Sequence, residues 1–149
     1  MDYQAFESFV NENIDFFQGV HPESNEDLAR YEAILGFQIP QSIKWLLTKH
    51  GYSMACGIED LEGSVKTTIE CRKTISLPPD IFIINDWNDG GVVFAIVKEK
   101  TGAEYEIIWG DVSDLYQLID GKSLQDGVDR YADFSEWVTD RVRFEKENA

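Results

Sequence analysis

Apolar residues in the first fifty positions recur at helical spacing. Phe6, Phe9, Val10, Ile14 and Phe17 fall on one face of a first helix, with Glu7, Asn11, Glu12 and Asp15 outside it. Gly19 and Pro22 end that pattern. Ser24 followed by Asp27 predicts the N-terminal cap of a second helix carrying Leu28, Tyr31, Ile34 and Leu35. Gly36 stops it, because glycine accepts the left-handed conformation a helix end requires. Pro40 opens a third helix, where its missing N–H costs nothing. Ile43, Leu46 and Leu47 form the face of that helix, and Gly51 closes it.

Beyond Gly51 the texture changes. Residues 52–63 are punctuated by glycine and are expected to hold a short strand or two. Residues 64–76 fit two periods: Val65, Thr67 and Ile69 alternate like a strand, whereas Val65, Ile69 and Arg72 fit a helical turn, which is preferred. Pro78-Pro79 forces an extended entry into Ile81–Ile84, a β run, and Asn85–Gly91 is a polar connection. Val92–Lys98 is a second β run, Lys100-Thr101-Gly102 a tight turn, and Tyr105–Trp109 a third strand. Together they predict an antiparallel meander whose near-continuous apolar runs imply a sheet covered by helices. Asp111–Ile119 holds a short helix with Leu115, Leu118 and Ile119. Asp133 and Glu136 then form a capping box ahead of Phe134, Trp137, Val138, Arg141 and Val142. The predicted class is α+β: a central antiparallel β-sheet flanked by N-terminal and C-terminal helices, in one domain over residues 1–149.

Composition supports a packed interior. The 149 residues are 43% hydrophobic and include nine Phe, six Tyr and four Trp. No apolar run approaches the roughly 18–20 residues that span a bilayer. Met1-Asp2-Tyr3-Gln4 is acidic and polar, unlike a secretory leader, so a cytoplasmic location is expected. Reduced thiols are then the expected state of Cys56 and Cys71. A zinc site needs about four ligands, and only His21 and His50 are available to join the cysteines, at irregular spacing. No metal or cofactor is expected.

The formal charge is −15. It disfavours nucleic acid and anionic membrane as partners, since both are repelled. Residues 1–35 hold eight acids and one base, and residues 104–149 hold twelve acids and five bases, while the middle is nearly balanced. If the two ends meet in space, they gather this charge on one side.

Catalytic signatures are missing. Gly90-Gly91 lacks the other glycines and the lysine of a phosphate loop, and no Gly-x-Ser-x-Gly elbow exists. Asp86-x-Asn88-x-Gly90 touches the pattern of a calcium loop, but its third ligand, glycine and closing Glu are misplaced. His50 ends the third helix, where a protonated ring would suit the dipole, and His21 precedes Pro22 in a loop. Neither has a local nucleophile or orienting partner, so no enzymatic function is expected. The segment Asn85–Gly91 reads as a hairpin connection, on which Trp87 offers an anchor for a protein partner. Candidate partner-binding residues are Asp86, Trp87 and Asp89 on that loop, with Asp111 and Asp114 after the last meander strand.

The order of several short motifs resembles the SUKH superfamily. Glu32, Leu35-Gly36, Ile39-Pro40, Leu46-Leu47 and His50-Gly51 are similar to its front motif, in which Asn-Gly usually stands where His50-Gly51 does. Leu77-Pro78, Ile81–Ile84, the Asn85–Gly91 loop and Val92–Val97 resemble its central meander. Asp133-Phe134-Ser135-Glu136-Trp137-Val138 resembles its C-terminal helix. The resemblance implies structural roles for Glu32, Gly36, Pro40 and Gly51, and no shared catalytic residues. It also implies a bacterial immunity protein that neutralises a cognate toxin, often a nuclease. The alternative is a regulatory or scaffolding interaction module, as in the fungal branch related to cell-wall-synthesis regulators. A basic toxin domain as partner agrees with the acidic charge; oligomeric state is left open.

Overall fold

In a computed structural model of the chain, residues 1–97 and 104–148 are described; the expected turn at Lys100-Thr101-Gly102 lies outside them. Three helices come first: α1 (Tyr3–Glu12), α2 (Asn25–Leu35) and α3 (Gln41–Lys49). A fourth, α4 (Leu61–Thr74), precedes three strands, β1 (Ile81–Asp86), β2 (Gly91–Ile96) and β3 (Glu106–Asp111). Then follow α5 (Val112–Ile119), a short strand β4 (Asp129–Tyr131) and α6 (Phe134–Glu147). The fold is α+β, with helices at both ends of the chain and a four-stranded sheet in the order β1-β2-β3-β4. All neighbouring strands are antiparallel.

Both faces of the sheet are covered, which is why its strands read as continuous apolar runs. Phe82, Val93, Ala95 and Ile107 join Phe6, Ile43, Leu46, Trp137 and Val138 in the main core. Ile81, Ile83, Val92, Phe94 and Ile108 face the other way, onto Leu77 and Leu115. The pairing register shifts between Ile83 and Asn85, a bulge that sets Asn85 opposite Val93, a main-core residue. β1 is an edge strand, and α4 shields it. The Thr68 hydroxyl accepts from the Ile83 N–H at 3.0 Å, and the Ser64 hydroxyl donates to the Ile84 carbonyl at 2.5 Å. Two small polar side chains thus satisfy an edge that would otherwise attract another strand.

The α2–α3 corner shows why its motif residues are needed. The Glu32 carboxylate accepts from the Ile39 N–H at 2.8 Å and from Lys44 Nζ at 3.2 Å, tying both sides of the turn. Gly36 ends α2 at φ +86°. Pro40 is the residue just before α3 rather than its first residue, and its carbonyl accepts from the Lys44 N–H. Pro40 offers no capping side chain, and Glu104, just before β3, supplies one by accepting from the Ser42 N–H at 3.0 Å and from the Ser42 hydroxyl. Gly51 has φ +74°, and a Cβ there would lie 2.5 Å from the Val20 carbonyl oxygen. That proximity comes from paired bonds between Val20 and Tyr52, at 3.0 and 2.8 Å.

Several expectations need correction. The first helix stops at Glu12, and a 3-10 turn over Ile14–Phe16 delivers Phe17 to the core while leaving Ile14 exposed. Ile34 is likewise exposed. Residues 52–63 form no strand: they hold one isolated bridge at Tyr52, a 3-10 turn over Met54–Cys56, and the start of α4. Residues 64–74 are helical, since apolar Val65 faces the core beside Leu61 while Ser64 and Thr68 serve β1. β4 was not foreseen, because Asp129-Arg130-Tyr131 carries no apolar alternation. The capping arrangement at α6 is offset: Asp133 accepts from the Glu136 N–H at 2.9 Å, but Glu136 reaches the Ala132 N–H.

Candidate functional site

The two ends of the chain do meet. The terminal ammonium of Met1 lies 3.0 Å from the Asp133 carboxylate, and Lys146 Nζ donates to the Asn13 side chain at 2.9 Å. The contact raises the pKa of the Met1 ammonium: burial opposes the shift, but hydrogen bonds and attraction from Asp133 and Glu136 outweigh it.

The β1–β2 hairpin gathers most of the candidate partner-binding residues. Asp86 ends β1, and its carboxylate accepts from the Asn88 N–H at 2.9 Å. Asp89 accepts from the Gly91 N–H at 2.8 Å. One oxygen of each carboxylate therefore shapes the turn, in the manner usual for Asp beside glycine. Asn88 and Gly90 take positive φ, 59° and 98°. The β2–β3 register sets Gly91 opposite Asp111, and the Asp111 carboxylate would lie 3.1 Å from a Cβ at Gly90. Asp114 accepts from the Asp111 N–H at 2.8 Å, fixing the start of α5. Asp86, Asp89, Asp111 and Asp114 are thus neighbours around one end of the sheet. Trp87 is half-buried and packs against the main core, so it is less exposed than a free anchor on a loop tip.

Beside this hairpin lies a loop that the sequence did not single out. Gly57 takes φ +70° under the Trp137 ring, where a Cβ would meet ring carbon at 2.2 Å. The buried Cys56 thiol donates to the Ser53 carbonyl at 3.0 Å, and Asn85 Nδ2 donates to the Gly57 carbonyl at 3.1 Å. The Arg141 guanidinium stacks on Trp137, 4.8 Å from the ring centre, and makes long contacts to the carbonyls of Met54 and Ala55. Burial lowers the pKa of Arg141, and it forms no ion pair among the described residues. The loop so held presents Met54 at 94% exposure.

Met54 stands between two clefts. One, of about 360 Å³, is lined by Tyr52, Ile58, Glu59, Asn85, Trp87 and Arg141 among others. The second, of about 290 Å³, includes Asp15, Phe16, Ala55, Val142 and Glu145. A third, of about 340 Å³, shares Glu59 and Asn85 with the first and adds Asp60 and Asp86. A larger groove, about 600 Å³, runs elsewhere along α4, with Ile34 and Cys71 in its wall and Lys66 and Lys73 among its lining residues. Burial, then the carboxylates of Asp86 and Glu70, push the Cys71 thiol up, which works against thiolate reactivity.

A family model matches residues 22–140, from the loop before α2 to within α6. The chain belongs to the SMI1 / KNR4 family (SUKH-1). Among curated proteins, none matches the chain. The SUKH-1 match takes in Glu32, Gly36, Pro40 and Gly51, whose contacts hold the α2–α3 corner, together with Met54 and Trp87.

The two histidines lie in different surroundings. His21 is exposed at φ 54°. His50 ends α3, as read from the sequence, but its surroundings do not favour the protonated ring that would suit the dipole. Its ring packs edge-on to Trp45 with Nε2 buried and unpaired, and burial lowers its pKa, favouring the neutral form. Among the described residues no cluster of three or more His, Cys, Asp or Glu is arranged to hold a metal ion, and no helix is long and apolar enough to cross a membrane.

Proposed function

We propose that this SUKH-1 protein acts by binding rather than by catalysis, as an immunity protein that neutralises a basic toxin domain. SUKH-1 membership carries the reading, and the charge of −15 narrows the partner. A toxin that cleaves nucleic acid needs a basic cleft, and an acidic inhibitor covering that cleft gains from complementary charge. The contact surface in this reading is the sheet end bearing Asp86, Trp87, Asp89, Asp111 and Asp114.

Salt dependence tests it. Association of the purified chain with the toxin it protects against should slow markedly between low and high ionic strength. The triple variant Asp86→Asn, Asp89→Asn, Asp111→Asn keeps an acceptor oxygen at each position and should bind more slowly with a shallower salt slope. A rate that is flat in salt, or a toxin whose activity persists at stoichiometric inhibitor, would sink the proposal.

A further inference from the structure

We infer that Met54 and the two clefts beside it form a docking surface for a basic protein domain, with apolar side chains of the partner entering on either side of Met54. This extends the proposed contact beyond the hairpin and rests on the same reading of a basic partner.

Isolated exposed apolar residues are ordinary and need no explanation. Met54 is not isolated in that sense. Its 94% exposure exceeds that of the other exposed large hydrophobics, Phe144 being next at 65%. It also borders Trp87 and Ile58 through one cleft, and Phe16 and Val142 through the other. An adaptable methionine among aromatic and arginine side chains is the composition enriched at interface centres.

The loop is already ordered. The Cys56 thiol bond within the loop, the Asn85–Gly57 bond and the Arg141 contacts hold it at three points, so little conformational entropy remains to be lost on binding.

Charge identifies the occupant. Asp15 and Glu145 line the second cleft, Glu59 the first, and Asp60 and Asp86 continue the acidic rim along the third. Among the described residues Arg141 is the one cation lining these clefts, and its guanidinium lies over the Trp137 ring. An apolar centre within a carboxylate rim complements an apolar centre ringed by Lys and Arg. The groove along α4 presents Lys66 and Lys73 and lacks this complementarity.

The test places the photo-crosslinker p-benzoylphenylalanine at position 54, and in separate chains at positions 87 and 34, in the native host. The adduct is identified, its protein purified, and its Kd measured against wild type, Met54→Lys, Met54→Ala and Ile34→Lys. Both target side chains are exposed, so folding should survive, and a thermal melt of each variant checks it. The expected result is a basic protein captured from position 54, with Kd weakened about tenfold or more by Met54→Lys, less by Met54→Ala, and not by Ile34→Lys. Capture of a basic protein from position 87 but not 54, or a Kd indifferent to Met54→Lys, overturns the docking surface and leaves the proposed function standing. Capture of an acidic or neutral protein, or no adduct from either position 54 or 87, overturns both.

Discussion

The α2–α3 corner and the Met54–Trp87 surface use the same kinds of residue to different ends. At the corner, polar groups are turned inward: Glu32 grips Ile39 and Lys44, Glu104 caps α3, and Gly51 lets Val20 and Tyr52 pair. At the Met54 surface, Asn85, Cys56 and Arg141 brace a loop from behind, and the braced loop turns an apolar side chain outward. One region uses its bonds to close the fold, the other to hold a surface open. Substitutions should separate them: stability should respond at the first, binding at the second.

The largest effect is expected at Gly51. Gly51→Ala combines a positive φ with a Cβ 2.5 Å from a backbone oxygen, which no rotamer change relieves. The cost should be about 2–5 kcal/mol, visible as a Tm lowered on the order of 10 °C. Gly36→Ala supplies the contrast, because φ is +86° but nothing lies within 4 Å of the added Cβ. It should cost only about 1 kcal/mol. Equal losses at the two glycines would mean that φ alone, and not the close approach to Val20, makes Gly51 necessary.

On the other side of the comparison stands Trp87. Trp87→Ala should weaken partner binding by about 1–2 kcal/mol, measured by calorimetry, and should also lower Tm because the ring rests on the core. A Tm loss without a change in Kd would make Trp87 a packing residue and move the contact elsewhere.

The contrast also marks what the sequence could disclose. The corner was legible because its signals are local: Ser24, Gly36 and Pro40 act within one or two turns of where they stand, and apolar periodicity places the helices between them. Strands β1 to β3 were legible for the same reason. β4 was not, because Asp129–Tyr131 becomes a strand only by pairing with Ile107–Trp109. The bulge after Ile83 was hidden too, since it is set by the register with β2. Asp111 reaches the hairpin through a pairing partner, Gly91, twenty positions earlier in the chain. Arg141 reaches Met54 over a separation of 87 residues, which no local pattern encodes. The one sequence clue to the loop was Met54 itself, an apolar residue in a glycine-punctuated stretch.

The smallest effect tests whether the corner's inward packing extends to its last residue. His50 lies edge-on to Trp45 at 5.4 Å, with a buried, unpaired Nε2. Burial, and secondarily the charge of Lys49, holds its pKa below the ordinary value of 6.5. Well above pH 6.5 the ring is neutral in folded and unfolded chains alike, and its contribution to stability is constant. As pH falls below 6.5 the unfolded chain takes up the proton first, so folding stability declines until the folded ring also titrates. His50→Asn removes that proton uptake while leaving the carboxylates in place. In urea unfolding at pH 7.5 and pH 5.5, wild type should lose more stability over that interval than the variant. Parallel losses would show that the ring gains enough solvent to charge freely, and that the corner's tight packing ends before His50.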